Sequence, residues 1–143
     1  FSVSILFLGF LAAVMLALVL MPQAAYAKSY EMPKVTIDAA AHENGDLQVT
    51  EQRTFSFNGT FSAVWWEFEN IPSYSSLNVS NVSLAYDSGE TKQLSSVPFV
   101  LDWRDAGGPA YSSYSVDSPK NTLYVFFAAE DEDVTITINY TKN

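Results

Sequence analysis

The 143-residue sequence contains no cysteine and only one histidine, His42. Without cysteine, disulfide bonds are excluded, so a domain outside the cytoplasm must be held together by its apolar core. A single histidine without cysteine speaks against a catalytic triad and against zinc sites. His42 stands beside a turn motif, where we expect an exposed residue rather than a ligand. We expect neither a metal nor a cofactor.

Basic residues are also scarce. The sequence has 7 lysines and arginines and 16 acidic residues, which gives a net charge of -9. Such a surface repels phosphate backbones, and the sequence contains no cluster of basic residues. We therefore expect no nucleic acid partner. Binding to anionic membrane surfaces is disfavoured for the same reason, whereas a soluble ectodomain is compatible with this charge.

Charged residues are missing altogether from the first 27 residues. Residues 1–21 are almost continuously apolar and precede Ala25-Tyr26-Ala27, a small-x-small triplet typical of signal peptidase cleavage. We expect residues 1–27 to be a signal peptide, with the mature chain beginning near Lys28. The alternative is an uncleaved membrane anchor, since the apolar run is barely long enough to cross a bilayer. Either way, residues 28–143 are expected on the extracytoplasmic side of the plasma membrane, in the cell envelope. We also expect that the chain is truncated at both ends.

Helical periodicity is hard to find after residue 28, whereas short alternating runs rich in Val, Ile, Thr, Tyr and Phe recur between turn motifs. The fold class predicted is all-β. Strands and turns of these lengths are typical of a β-sandwich, and we expect one immunoglobulin-like antiparallel sandwich over residues 28–143. The predicted strands are 34–42, 47–57, 61–69, 77–86, a weak one near 91–95, 111–117, 122–128 and 133–141.

The first predicted hairpin places two opposite charges on its apolar face. A three-residue loop Glu43-Asn44-Gly45, with Gly45 in the left-handed region, pairs Ala39 with Val49, Ile37 with Glu51 and Val35 with Arg53. Because Glu51 and Arg53 are two residues apart on one strand, their long side chains can meet. We expect a structural ion pair near the sheet edge or the mouth of the sandwich. The alternative is a polar anchor for a molecule that docks on this sheet.

Two segments, residues 45–72 (GDLQVTEQRTFSFNGTFSAVWWEFENIP) and 133–141 (DVTITINYT), resemble the N-terminal part of the DUF2207 family of predicted membrane proteins. The sequence departs from the family pattern before the Ile-Pro step, where a basic residue is common and this chain has Glu67-Phe68-Glu69-Asn70. The matching motifs are Gly45, Val49-Thr50-Glu51, Phe55 and Phe57 with Gly59, Ile71-Pro72, and Ile136 to Thr141.

The resemblance implies a secreted β-sandwich ectodomain that continues beyond Asn143 into more ectodomain and a transmembrane helix. The membrane would then be a partner through the N-terminal segment and through that helix. The family has no established activity, so the resemblance leaves the chemistry open.

Trp65 is predicted to face outward, because Val64, Trp66 and Phe68 form the apolar row of its strand. Exposed tryptophans on sheets often mark docking surfaces, and a ligand-binding set is predicted from Trp65, Trp103, Tyr111 and Tyr114. The alternative is that Trp65 packs under the long 95–118 loop.

Two acidic pairs offer weaker candidates. Glu67 and Glu69 could flank a glycosidic bond, but outward carboxylates are ordinary surface residues. Asp131 and Asp133 have the spacing at which calcium loops begin, yet no further ligands continue it, so a solvated hairpin tip is expected.

Together these observations predict a non-enzymatic extracytoplasmic domain of a membrane protein, acting as a structural or protein-binding ectodomain. The alternative is a module that binds carbohydrate or a cell-wall polymer. A glycoside hydrolase that acts through Glu67 and Glu69 is the third hypothesis, and an envelope protein or glycan is the expected partner.

Overall fold

A computed structural model describes residues 28–72, 75–101 and 111–143 and confirms the predicted all-β class. The one helical element of these residues is a short 3-10 turn, Ser118–Lys120. The expected signal peptide or anchor, residues 1–27, lies outside the described residues. The strands in chain order are β1 (Ser29–Ala41), β2 (Leu47–Asn58), β3 (Thr60–Glu67), β4 (Leu77–Tyr86), β5 (Thr91–Gln93), β6 (Ser95–Ser96), β7 (Ser113–Asp117), β8 (Thr122–Glu130) and β9 (Asp133–Lys142).

The strands form two sheets that enclose a common core. The first sheet has the order β1-β2-β9-β4-β5, and the second has the order β3-β8-β7-β6. Neighbouring strands are antiparallel except β6 and β7, which are parallel. In the first sheet, the last strand of the chain, β9, lies between β2 and β4.

The core is built by alternate residues of the strands at the centre of each sheet. Along β9, Val134, Ile136 and Ile138 are fully buried, and the neighbouring Thr135 and Thr137 face the other side. Along β8, the residues Leu123, Val125 and Phe127 are buried in the same way. The period of two that predicted these strands is thus the period with which they fill the core.

The chain crosses between the two sheets where Gly59 and Asp131 meet. Gly59 has a φ of 99° and its amide donates a 2.7 Å hydrogen bond to Oδ1 of Asp131. The Asp133 amide, in turn, donates to Oδ2 of Asp87. Asp131 and Asp133 are exposed, as predicted, but the predicted hairpin is wrong, because the turn joins β8 and β9, which belong to different sheets.

The predicted register of the first hairpin is confirmed. Gly45 has a φ of 93°, as the three-residue loop requires, and the His42 amide donates a 2.8 Å hydrogen bond to the Asp46 carbonyl. His42 itself is exposed in this turn. The pairs across β1 and β2 are Ala39 with Val49, Ile37 with Glu51, and Val35 with Arg53.

Several strand boundaries differ from the predicted ones. β1 begins at Ser29 and passes through an irregularity between Glu31 and Lys34, next to Pro33. β3 ends at Glu67, shortly before Asn70, whose φ of 58° is incompatible with a strand. Ser112, with a φ of 66°, likewise delays the start of β7 to Ser113.

The weak strand predicted near residues 91–95 is divided between the two sheets. β5 pairs with β4 in the first sheet, and β6 pairs with β7 in the second. Leu94 lies between them, is 5% exposed, and donates its amide to the Val82 carbonyl at 2.9 Å. The buried Leu94 side chain therefore fixes the point at which the chain changes sheet.

Candidate functional site

The edge strand β1 presents apolar side chains that the second sheet does not cover. Val35 and Ile37 face the same side of the sheet as the buried Val49 and Glu51, because their register partners are Arg53 and Glu51. Yet Val35 is 47% exposed and Ile37 is 57% exposed. The predicted face of Val35 and Ile37 is therefore confirmed. A residue on the core-facing side is expected to be buried, and these two are not.

The start of β1 contacts both sheets through aromatic rings. The Tyr30 ring lies 6.0 Å from that of Phe55 and 6.1 Å from that of Phe61, measured between centroids. Phe61 belongs to β3, so this contact joins β1 to the second sheet. Tyr30 is nevertheless 57% exposed, and it continues the apolar surface of Val35 and Ile37.

Behind this surface, Glu51 and Arg53 form the predicted ion pair. Both the Nε and a terminal nitrogen of the Arg53 guanidinium contact Oε1 of Glu51. The other carboxylate oxygen, Oε2, accepts a 3.2 Å hydrogen bond from the Tyr140 hydroxyl. Glu51 is only 2% exposed, so its charge depends on these two partners.

Arg53 is held from a second side by an aromatic ring. Its guanidinium carbon lies 4.8 Å from the centroid of the Trp66 ring, a cation–π distance. Trp66 belongs to β3, so the arginine connects the two sheets at the place where the second sheet ends beneath β2. The side chain of Arg53 retains 24% exposure, which places it at the boundary between core and open surface.

Tyr140 is fixed as a hydrogen-bond donor. Burial raises the pKa of Tyr140 to about 12, and the negative charge of Glu51 together with the hydrogen bond to it acts in the same direction. The Tyr140 ring also packs edge-on against Phe68 at a centroid distance of 4.9 Å. The hydroxyl therefore stays protonated, and keeps its bond to Glu51, throughout the neutral pH range.

The model of the DUF2207 predicted membrane protein N-terminal domain matches residues 31–143. The chain belongs to this family. The match includes all of β2 to β9 and nearly all of β1. A search of curated proteins finds no match to the sequence. Within the ranges 28–72, 75–101 and 111–143, no helix has the length and apolarity needed to span a bilayer.

The structure brings together two segments on which the resemblance to DUF2207 proteins was based. Glu51 ends the Val49-Thr50-Glu51 motif, and Tyr140 lies in the motif of β9, 89 positions later. The register pairs Glu51 with Ile138, so the two side chains lie diagonally across neighbouring strands. In this DUF2207 domain the two motifs therefore meet at the ion pair.

A second exposed aromatic group lies on the outer face of the second sheet. Trp65 is 64% exposed and stacks on Tyr124 at a centroid distance of 6.4 Å, so the predicted outward orientation is confirmed. Phe99 contacts the same tyrosine at 5.6 Å. Phe99 belongs to the predicted 95–118 loop, so this loop reaches Tyr124. Most of the Trp65 side chain nevertheless remains exposed.

The structure does not gather the predicted ligand-binding set into one surface. Tyr111 is 61% exposed, but Tyr114 is 7% exposed and belongs to the core. Tyr114 pairs with Val125, so it points to the inner face of the sheet, opposite to Trp65. Tyr114 therefore cannot share an outer binding surface with Trp65. Trp103 lies outside the described residues.

The acidic candidates are surface residues. Glu67 is exposed at the end of β3, and Glu69 is exposed beyond it, where strand alternation no longer fixes a common face. Among the described residues, no three His, Cys, Asp or Glu side chains are grouped as a metal would require. The exposed inner face of β1 is the candidate that sequence reasoning missed, because alternation predicts a face and not what covers it.

Proposed function

We propose that this DUF2207 domain is a protein-binding ectodomain whose binding surface is β1. The observation that carries the proposal is the exposure of Val35 and Ile37 on the core-facing side of an edge strand. Apolar surface of this kind is stabilised when a partner covers it, at about 25 cal/mol per Å² removed from water.

The backbone of β1 supports the same proposal. β1 is 13 residues long and ends the order of its sheet, so its far edge offers amides and carbonyls to an added strand. Strand addition to such an edge combines backbone hydrogen bonds with side-chain contacts at alternate positions. The anchored Tyr30 and the ion pair behind β1 hold this edge in place without an incoming partner.

A photoactivatable cross-linking residue tests the proposed surface in cells that produce the full-length protein. Placed at Ile37, it is expected to yield covalent adducts with protein. Placed at Gln52, which faces Thr36 of β1 from the adjacent strand on the outer side, it is expected to yield none. Adducts at position 52 equal to those at position 37, or none at position 37, would contradict the proposal.

Binding of carbohydrate or a cell-wall polymer is the second candidate function, and Trp65 is the observation that favours it. Its exposed ring, stacked on Tyr124, offers an apolar platform, and the nearby Glu67 could accept hydrogen bonds from sugar hydroxyls. Retention on isolated wall polymers that is lost in Trp65→Ala, but not in Ile37→Ser, would establish this function instead.

We further propose that the domain is not an enzyme and does not bind nucleic acid. A carboxylate pair that cleaves glycosides needs one member in an environment that keeps it protonated, and both Glu67 and Glu69 are exposed. The net charge of -9 repels phosphate backbones. Turnover of a glycoside that Glu67→Gln abolishes would overturn the first statement.

The cellular location is part of the proposal. The apolar residues 1–21 and the Ala25-x-Ala27 triplet support export by a signal peptide or an anchor, and the family is one of predicted membrane proteins. We place the domain on the extracytoplasmic side, in the cell envelope, tethered by a downstream transmembrane helix. The term immunoglobulin-like is proposed for the two-sheet architecture alone, since the insertion of β9 between β2 and β4 departs from the immunoglobulin strand order.

A further inference from the structure

The hydrogen-bonding direction of each β1 residue follows from the first hairpin. His42 donates its amide to Asp46 across the hairpin, and backbone groups alternate in direction along an antiparallel strand. Residues 34, 36, 38 and 40 therefore bond to β2, while residues 35, 37, 39 and 41 direct their amides and carbonyls to the far edge. Among the described residues, no strand pairs with that edge.

The segment able to accept another strand is bounded. Pro33 has no amide hydrogen, and the register shifts between Glu31 and Lys34, so regular pairing is interrupted there. The register with β2 is then continuous from Lys34 to Ala41. This eight-residue segment, KVTIDAAA, carries one positive and one negative charge and is formally neutral. The net negative charge of the whole chain makes two copies repel each other, and this neutral segment does not add to that repulsion.

The two charges are arranged symmetrically. Lys34 and Asp38 are both exposed, lie at equal distances from Thr36, and share the outer face with it. On β2 they face the neutral Thr54 and Thr50, and neither forms an ion pair within the described part of the chain. An antiparallel copy centred on Thr36 would place each lysine opposite an aspartate.

We propose that two copies of this chain join antiparallel through β1, with Thr36 opposite Thr36 of the second copy. Lys34 of each copy then faces the second copy's Asp38, and Val35 faces the second copy's Ile37 on the inner side. The pairing joins the two five-stranded sheets into one continuous sheet. The inference rests on the proposed function, since it names the partner that β1 binds.

The backbone satisfies the same register. Val35 and Ile37 are among the residues whose amides and carbonyls point to the edge, so each exchanges two hydrogen bonds with its opposite number. Thr36 and the charged pairs fall at the non-hydrogen-bonded positions, where opposing side chains approach most closely. Backbone, apolar contacts and charges therefore all select the same alignment.

Disulfide formation tests this register in the full-length protein, in membranes. Thr36→Cys is expected to form a disulfide-linked dimer under mild oxidation, because non-hydrogen-bonded partners lie about 4.5 Å apart at Cα, within disulfide range. Gln52→Cys is the matched control: it is exposed on the same face of the adjacent strand and cannot reach its copy. The unsubstituted chain controls for cysteines elsewhere, as residues 1–143 contain none.

Charge exchange in the Thr36→Cys background identifies the alignment. Lys34→Asp sets like charges opposite each other twice, and the dimer yield is expected to fall roughly tenfold. The double variant Lys34→Asp/Asp38→Lys restores opposite charges and is expected to restore the yield, which also excludes misfolding as the cause of the loss.

The outcomes separate the dimer from the proposed function. A Thr36→Cys dimer no more abundant than that of Gln52→Cys, or one unaffected by Lys34→Asp, overturns the proposed pairing. If the cross-linker at Ile37 then still captures a different protein, β1 remains a binding surface and only the second copy is wrong. If neither experiment yields an adduct, both proposals fail.

Discussion

Glu51 is the residue whose position most needs a physical explanation, because an isolated buried carboxylate costs several kcal/mol. Arg53 contacts one of its oxygens and Tyr140 the other, while Trp66 lies against the guanidinium. The ion pair was predictable, since both charges lie two residues apart on one strand. Tyr140 and Trp66 were not, because their contacts depend on which strands become neighbours.

Removing either charge is expected to destabilise the domain unequally. Arg53→Met leaves a carboxylate that is 2% exposed without its cation, and we expect a loss of about 3–5 kcal/mol in the free energy of unfolding. Glu51→Gln should cost less, because the Arg53 side chain is 24% exposed and can be solvated. Unfolding both variants in urea measures which of them loses more free energy of unfolding. A larger loss for Glu51→Gln would contradict this account of the pair.

Tyr140 provides a pH-dependent test. Its pKa is raised to about 12 from the usual tyrosine value of 10.0, so the folded state holds the proton more tightly than the unfolded state. The resulting stabilisation is complete below pH 10 and is lost as pH rises toward 12. Tyr140→Phe should therefore lose about 1.5–3 kcal/mol at pH 8, the value of a hydrogen bond to a charged group. The difference from the wild-type protein should shrink between pH 10 and 12, and a difference constant over that range would contradict the assignment.

At the scale of the strand, β1 shows that the face a side chain occupies and the burial of that side chain are separate properties, although a sequence pattern predicts them together. Alternation predicted correctly that Val35 and Ile37 share a face with the core residues of β2. Their exposure arises because the second sheet has one strand fewer and does not extend over Val35 and Ile37. The number of strands in each sheet depends on pairing between distant segments, so no local pattern in residues 34–42 predicts it.

The turn that aligns β1 depends on one backbone conformation. Gly45 has a φ of 93°, and an added Cβ would meet nothing within 4 Å, so the cost of a side chain there is conformational. We expect Gly45→Ala to lower the free energy of unfolding by about 1–2 kcal/mol and Gly45→Asn by less, since asparagine tolerates the left-handed region. Equal losses in thermal unfolding would indicate a different turn.

At the scale of the whole molecule, most strands were predictable and their arrangement was not. Each strand has its own alternation and turn residues, which is local information. The placement of β9 between β2 and β4 joins residues 48 or more positions apart, and the transfer of Ser95–Ser96 to the second sheet depends on the burial of Leu94. Tyr114 was misplaced for the same reason, because its face depends on pairing with β8.

The proposed location predicts a labelling pattern for intact cells. Glu43 is exposed at the tip of the first hairpin, whereas Ser115 is fully buried. Glu43→Cys in the full-length protein is expected to react with a membrane-impermeant maleimide without lysis, and Ser115→Cys is not. The unsubstituted chain gives the background. Labelling of Glu43→Cys only after lysis would place the domain in the cytoplasm.

Residue-resolved hydrogen exchange along β1 of the full-length protein tests the central claim most directly. The amides of residues 36, 38 and 40 bond to β2 and are expected to be protected in every variant. Those of residues 35 and 37 are expected to be protected in the wild-type assembly and to exchange faster in Lys34→Asp, which weakens the pairing of the copies. Equal exchange of these two amides in both proteins would contradict the claim that a second copy occupies the edge of β1.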